Sequence, residues 1–194
     1  MQVRQDRRVQ RSRAALRAAA VRLVTENATT ALSVIELADA ADVSRQLVYL
    51  QFGDRDALLV AAAANLVERE LLPEVADDSA AHYVRMLAMA RHFARHRPFY
   101  RAMLTGSCAF PMTRALNRLF GSLITTASLR EVFGDLDDTT ARDLTALITG
   151  GIGAIVNDWL VDGDDPLDPQ ELADRLLRLT AAIAHNRSPA QGRV

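Results

Sequence analysis

The chain is 194 residues long, 49% apolar and 24% charged, with nine glycines and six prolines. That composition can build a packed core and excludes disordered, collagen-like and disulfide-stapled classes. A formal charge of −1 offers no case for a nucleic-acid partner as a sum, but its distribution does. Every basic residue is arginine; residues 1–25 hold seven arginines against one aspartate, and residues 131–194 hold five against twelve acids.

A single cysteine, Cys108, cannot form an internal disulfide, and no CxxC pair is present for zinc or redox chemistry. The longest apolar run, residues 57–64, is far short of the roughly 18–20 residues of a membrane span. No apolar signal region follows the arginine-rich start. The chain is therefore expected to be cytoplasmic, without a membrane partner.

Helical periodicity runs throughout and strand signals are nearly absent, so the expected fold is all-α. The spacing predicts a first helix over 6–26 with Leu16, Ala19, Ala20, Leu23 and Val24 on one face. Ser33-Val-Ile-Glu36 reads as a capping box opening a short helix to Ala40. Ser44 caps a third helix through Leu50, and Asp54 caps a fourth over 55–72, closed by Pro73. Further helices are expected over 79–96, ending before Pro98, then to Thr105, and over 112–132 after a loop at 106–111. A long apolar helix spans 138–161, and Asp168-Pro-Gln-Glu171 opens a last helix to about His185. The tail from Asn186 is expected to fray.

The segment from Ser33 to Leu58 carries the most information. Two short capped helices separated by residues 40–43 place Val34, Leu37, Ala38, Val43, Val48 and Phe52 where they can bury against each other and the first helix. That is a helix-turn-helix arrangement. The second of these helices presents Ser44, Arg45, Gln46, Tyr49 and Gln51, residue types that read base edges and hold phosphates. A helical hairpin with a solvated polar face is the plainer alternative.

This segment resembles the DNA-binding domain of the TetR family of bacterial transcriptional regulators, with Ala41, Val43, Ser44, Tyr49, Phe52 and Leu58 at the matching places. The resemblance implies an N-terminal three-helix DNA-binding domain over 1–54, a connecting helix over 55–72, and a C-terminal ligand-binding and dimerisation domain over 73–194. It implies Arg45 and Gln46 as base readers, and Ser33, Ser44, Tyr49 and Arg55 as phosphate contacts, with Gln51 in either role. Arg11 and Arg13, with Arg4, Arg7 and Arg8, are expected either as an arm following the phosphate backbone or entering the minor groove, or as a solvated helix start. Three positions depart from the family pattern. Asp42 stands where the turn has glycine, Arg55 where it has lysine, and Leu47 where a small polar residue is usual, so that Leu47 would touch a thymine methyl or weaken a phosphate contact.

In the C-terminal part, Ile148, Ile152, Ile155 and Val156 on the long helix, with Leu172, Leu176, Leu179 and Ile183 on the last, are the expected homodimer interface. Candidates for lining an effector pocket are His92, His96, Tyr100, Met103, Phe110, Asn117, Phe120 and Trp159. His92 and His96 have metal-compatible i, i+4 spacing, but no carboxylate or further histidine is placed by spacing to complete a set. No metal or cofactor is expected. No GxSxG, P-loop, HExxH or EF-hand pattern occurs, so a non-enzymatic regulator is expected, with operator DNA and a small effector as partners. The alternative is an all-α ligand-binding or protein-interaction module with a degenerate helix-turn-helix.

Overall fold

The computed structural model describes residues 2–76 and 81–185, and among these it is all helical, without a strand. Eleven helices follow in order: α1 Gln2–Asn27, α2 Val34–Ala40, α3 Arg45–Phe52, α4 Arg55–Glu70, α5 Leu72–Val75, α6 His82–Arg95, α7 Arg97–Thr105, α8 Ala109–Gly121, α9 Thr126–Phe133, α10 Asp138–Asp162 and α11 Pro169–His185. Ser79, the expected start of α6, and the tail from Asn186 lie outside the described residues.

The caps read from sequence set the first turns. The Ser33 hydroxyl accepts from Glu36 N at 3.1 Å while the Glu36 carboxylate accepts from Ser33 N at 2.7 Å. This reciprocal pair satisfies two helix-end donors and holds the Glu36 carboxyl below the ordinary carboxylate range. Asp54 accepts from Ala57 N at 2.7 Å, and Asp168 from Gln170 N at 2.8 Å. The turn between α2 and α3 closes through Val43 N to Ala38 O at 3.0 Å, with Asp42 at φ 52. An aspartate thus takes the left-handed conformation that glycine adopts without cost.

Several boundaries differ from the sequence reading. The single helix expected over 112–132 is two, because the Thr125 side chain accepts from Ser128 N at 3.0 Å and so caps a new helix after the Ser122–Ile124 turn. The expected 106–111 loop shrinks to 106–108, because Pro111 sits in the first turn of α8, where a missing N–H is harmless. Helix α3 continues to Phe52, with Gly53 at φ 89 ending it. Helix α4 ends at Glu70 rather than residue 72: Pro73 cannot continue a helix, and it sits instead in the short α5.

One continuous core joins these elements. It takes Leu16, Ala20 and Val24 from α1, Leu37 from α2, Val48 from α3, and Leu58, Leu59, Ala62, Ala63 and Val67 from α4. Phe99, Tyr100 and Met103 of α7, and Leu172 and Leu176 of α11, extend it. Helix α4 packs on α1, α3 and α8, α11 packs on α6, and α10 on α7 and α8.

The loop entering α8 is tightly fitted to the turn after α1. A Cβ added at Gly106 would lie 2.1 Å from Thr30 Oγ1 and 3.0 Å from the Ala102 carbonyl oxygen. Gly106→Ala is therefore expected to destabilise the chain by about 1–3 kcal/mol in urea unfolding. Thr30→Ala in the same chain should recover part of that loss; a fully additive double mutant would count against the clash.

Candidate nucleic-acid interface and internal cavity

Helix α3 is held from beneath by fully buried Val48, which leaves Arg45, Gln46, Tyr49 and Leu50 exposed on its outer side. Ser44 stands at its N-cap without a side-chain capping bond, also exposed. Four polar side chains of the kinds that meet bases and phosphates therefore sit together on a short, anchored helix. Leu47 is half-buried, whereas Leu50 is 75% exposed and Ile35 on α2 55%. The sequence reading missed both; their only signal was apolar side chains standing off the packing stripe.

Other expected DNA contacts are engaged within the chain. Arg13 donates from Nη1 to the Gln51 carbonyl and to Gln51 Oε1, both at 3.3 Å. Its guanidinium carbon lies 4.9 Å from the Phe52 ring centroid, a cation–π contact. Arg13 and Gln51 thus fasten α1 to the end of α3. Arg7, Arg8 and Arg11 are exposed, and the Arg4 side chain lies outside the described residues. The Ser33 hydroxyl serves as cap acceptor and keeps its own proton to donate.

Arg55 bridges two parts of the molecule. It donates to Asp56 Oδ1 at 2.7 Å, to Ser107 Oγ at 3.2 Å and to the Leu32 carbonyl at 3.5 Å. Ser107 in turn donates to Asp56 Oδ2 at 3.1 Å. The α1–α2 link, the start of α4 and the loop before α8 therefore share one polar network.

Between α6, α7, α8 and α10 lies a cavity of about 150 Å³. Its wall is almost wholly apolar, from Met86, Met89, Phe93, Met112, Leu116, Ile148, Ile152 and Val156, with Asn117 and Asn157 as polar points. Of the expected pocket residues, Tyr100, Asn117 and Phe120 line it. Met103 is fully buried in the core, and Phe110 is 77% exposed. His92, His96 and Trp159 do not line the cavity. Gly153 leaves room for Asn117 where α10 passes α8: a Cβ there would lie 2.9 Å from Asn117 Oδ1, and that side chain would have to shift.

The cavity also redistributes the residues expected between subunits. Ile148 and Ile152 line it, Val156 and the α11 residues Leu172 and Leu176 are buried, and Ile155 is half-buried. These side chains pack within their own chain because positions four apart on a helix share a face. On the other side of α10, Leu147 is 70% exposed and Gly151 and Ala154 are exposed, beside exposed Leu179 and Ile183 on α11. By length and composition alone α10 could cross a membrane, yet only 11% of its most apolar stretch is buried.

Next to Tyr100, the two histidines meet a carboxylate from another helix. His96 Nε2 is 2.7 Å from Glu70 Oε2, His92 Nδ1 is 3.9 Å from the same oxygen, and His92 Nε2 is 2.9 Å from the Tyr100 hydroxyl. Spacing along the chain did not reveal Glu70, since only the packing of α4 on this region brings it near. Burial, then the neighbouring His96 charge, lowers the His92 pKa to about 4, so its ring is neutral at physiological pH. Burial pushes the Tyr100 hydroxyl upward.

The molecule is thus an anchored helix-turn-helix with an exposed polar face, joined to a helical body that holds an apolar cavity. Residues 16–62 match a family model described as bacterial regulatory proteins, tetR family. The fold is similar to that of a TetR transcriptional regulator from Rhodococcus sp. RHA1, at 18% identity and a TM-score of 0.66, covering 92% of this chain and 99% of that one. It is also similar to the TetR-family repressor FadR of Thermus thermophilus, solved with lauroyl-CoA, at 19% identity and a TM-score of 0.64, covering 93% and 100%. A third similar structure is the repressor AlkX of a Dietzia strain, implicated in n-alkane biodegradation, at 22% identity and a TM-score of 0.57, covering 90% and 95%. No curated protein matches the sequence.

An enclosed space walled by apolar groups takes up apolar guests. Xenon under pressure should occupy it in crystals of the unaltered chain and be excluded by Ile152→Trp. Equal xenon density in both would mean that α10 does not wall the site.

Proposed function

We propose that the protein is a homodimeric transcriptional repressor that leaves a palindromic operator when a small, largely apolar effector enters the cavity. The observation that carries this reading is the outward cluster of Ser44, Arg45, Gln46 and Tyr49 on a helix whose opposite side is fully buried. Arg45 and Gln46 would read base edges, and Ser33, Ser44, Tyr49 and Arg11 would hold phosphates, with Leu47 and Leu50 toward thymine methyls. Arg13, Gln51 and Arg55 act chiefly as supports that set the angle of α3, given their contacts within the chain. In functional terms residues 1–54 form the DNA-binding domain, 55–72 the connecting helix and 73–194 the effector and dimer domain. Operation on chromosomal DNA implies a cytoplasmic location, and no catalytic role is assigned.

Two recognition helices entering successive major grooves need a separation of roughly 34–36 Å. A dimer through the exposed side of α10 and the outer stripe of α11 would hold that spacing, and Leu147, Leu179 and Ile183 are the large apolar side chains it would cover. An effector between α6, α7, α8 and α10 would act on α4, which packs against α8 and carries α3 at its other end. A coupling of about 1–3 kcal/mol would change operator affinity roughly 5- to 150-fold. Asp42 keeps the turn closed at φ 52, which favours a working helix-turn-helix over a degenerate one.

Arg45→Ala with Tyr49→Ala is expected to weaken binding to the operator upstream of the chain's own gene by about 100-fold or more in gel shifts, with unchanged helicity and oligomeric state. Binding by the unaltered chain should fall steeply with salt. Undiminished binding by the double variant would remove α3 from the interface. For the dimer, Leu147→Arg should shift the chain to monomer in light scattering; a variant that stays dimeric would place the interface elsewhere.

A further inference from the structure

We propose that Glu70, His92 and His96 form a binding site for a divalent transition metal of the zinc type, fastening the end of α4 to α6. The three ligand atoms lie within 4.8 Å of one another. Two ligands on a tetrahedral zinc about 2.1 Å away stand about 3.4 Å apart. The spacings found bracket that value: 2.7 Å between His96 Nε2 and Glu70 Oε2, and 3.9 Å between His92 Nδ1 and the same oxygen. A metal would take the place of the proton now shared by His96 and Glu70 and draw His92 inward by a fraction of an ångström.

The state of His92 points to a missing partner. The residue is only 4% exposed, and its Nδ1 is buried without a hydrogen bond among the described residues. A buried polar atom left in this way is costly, and native interiors rarely keep one. Its other nitrogen sits 2.9 Å from the Tyr100 hydroxyl. If Nε2–H donates to Tyr100, Nδ1 carries a bare lone pair facing Glu70 and His96, the tautomer a metal requires. A metal-bound histidine usually gives its second N–H to such an outer partner.

The donor set selects the metal. Two imidazoles and one carboxylate suit zinc, cobalt or nickel; magnesium and calcium prefer all-oxygen shells. With Glu70 36% exposed and His96 20% exposed, a metal can enter from that side and keep a fourth position open. Because His92 lies on α6, His96 at the α6–α7 junction and Glu70 at the end of α4, the bound ion would add a metal cross-link to the His96–Glu70 hydrogen bond that already joins these parts. This inference is independent of the DNA-binding reading.

The test uses the full chain, stripped with chelator and titrated with zinc and cobalt. One equivalent of zinc per chain is expected to bind, with a rise in Tm, and cobalt should show the intense visible absorption of a tetrahedral site. Glu70→Gln and His96→Gln, both at partly exposed positions, should keep their helicity and lose at least about 100-fold in zinc affinity. Tyr100→Phe should lose about 10-fold, and His82→Gln should lose nothing. A chain that takes up no stoichiometric metal has only a hydrogen-bonded cluster here, and the proposal fails. It fails equally if zinc binds Glu70→Gln and His96→Gln as tightly as the unaltered chain.

Discussion

Everything in this molecule hangs on the burial of α4 from two sides. Leu58, Leu59, Ala62, Ala63 and Val67 are each at most 1% exposed, on a helix that packs against α1, α3 and α8. Close-packed interiors yield little to small displacements. A helix packed in this way on α1, α3 and α8 ties the helix-turn-helix to the helical body. The Arg55–Asp56–Ser107 network adds a polar tie at the point where the two halves meet.

The helical body reaches α4 through α8. Its cavity lies against α8 and α10, and α8 is the helix that touches α4. Tyr100 faces two ways: its ring lines the cavity, while its hydroxyl meets His92, whose neighbour Glu70 is the last residue of α4. An occupant of the cavity and a metal at the histidines would thus act on one end of the same helix. The exposed polar face of α3 sits at the other end, where buried Val48 and the Arg13–Gln51–Phe52 contacts hold that helix.

Charge follows the same plan. The seven arginines of residues 1–25 lie on and around α1, and Arg7, Arg8 and Arg11 remain exposed there. The acids concentrate in residues 131–194, on α10, α11 and the loop between them, where Arg97 binds the Leu160 and Asp164 carbonyls and Asp165. Segregation of this kind lets a nearly neutral chain present a positive end to a polyanion.

The all-α class, the capping box at Ser33, the caps at Asp54 and Asp168 and the two short helices of the helix-turn-helix were legible in the sequence, because helix periodicity and caps depend on residues within about four positions of one another. The outward set of Arg45, Gln46 and Tyr49 was legible for the same reason, since one buried position on so short a helix fixes which side faces out. The division of apolar residues on α10 was not. Ile148, Ile152 and Leu147 are alike in kind, and only the packing of α7 and α8 decides that the first two turn inward while the third stays bare. The engagement of Arg13, Gln51 and Arg55 depended likewise on which helices come together. Glu70 beside His92 and His96 is the clearest case: nothing along the chain ties a carboxylate on α4 to histidines on α6. Local sequence determines how each helix begins and ends, whereas the meeting of side chains remote in sequence is decided by how the helices share one core.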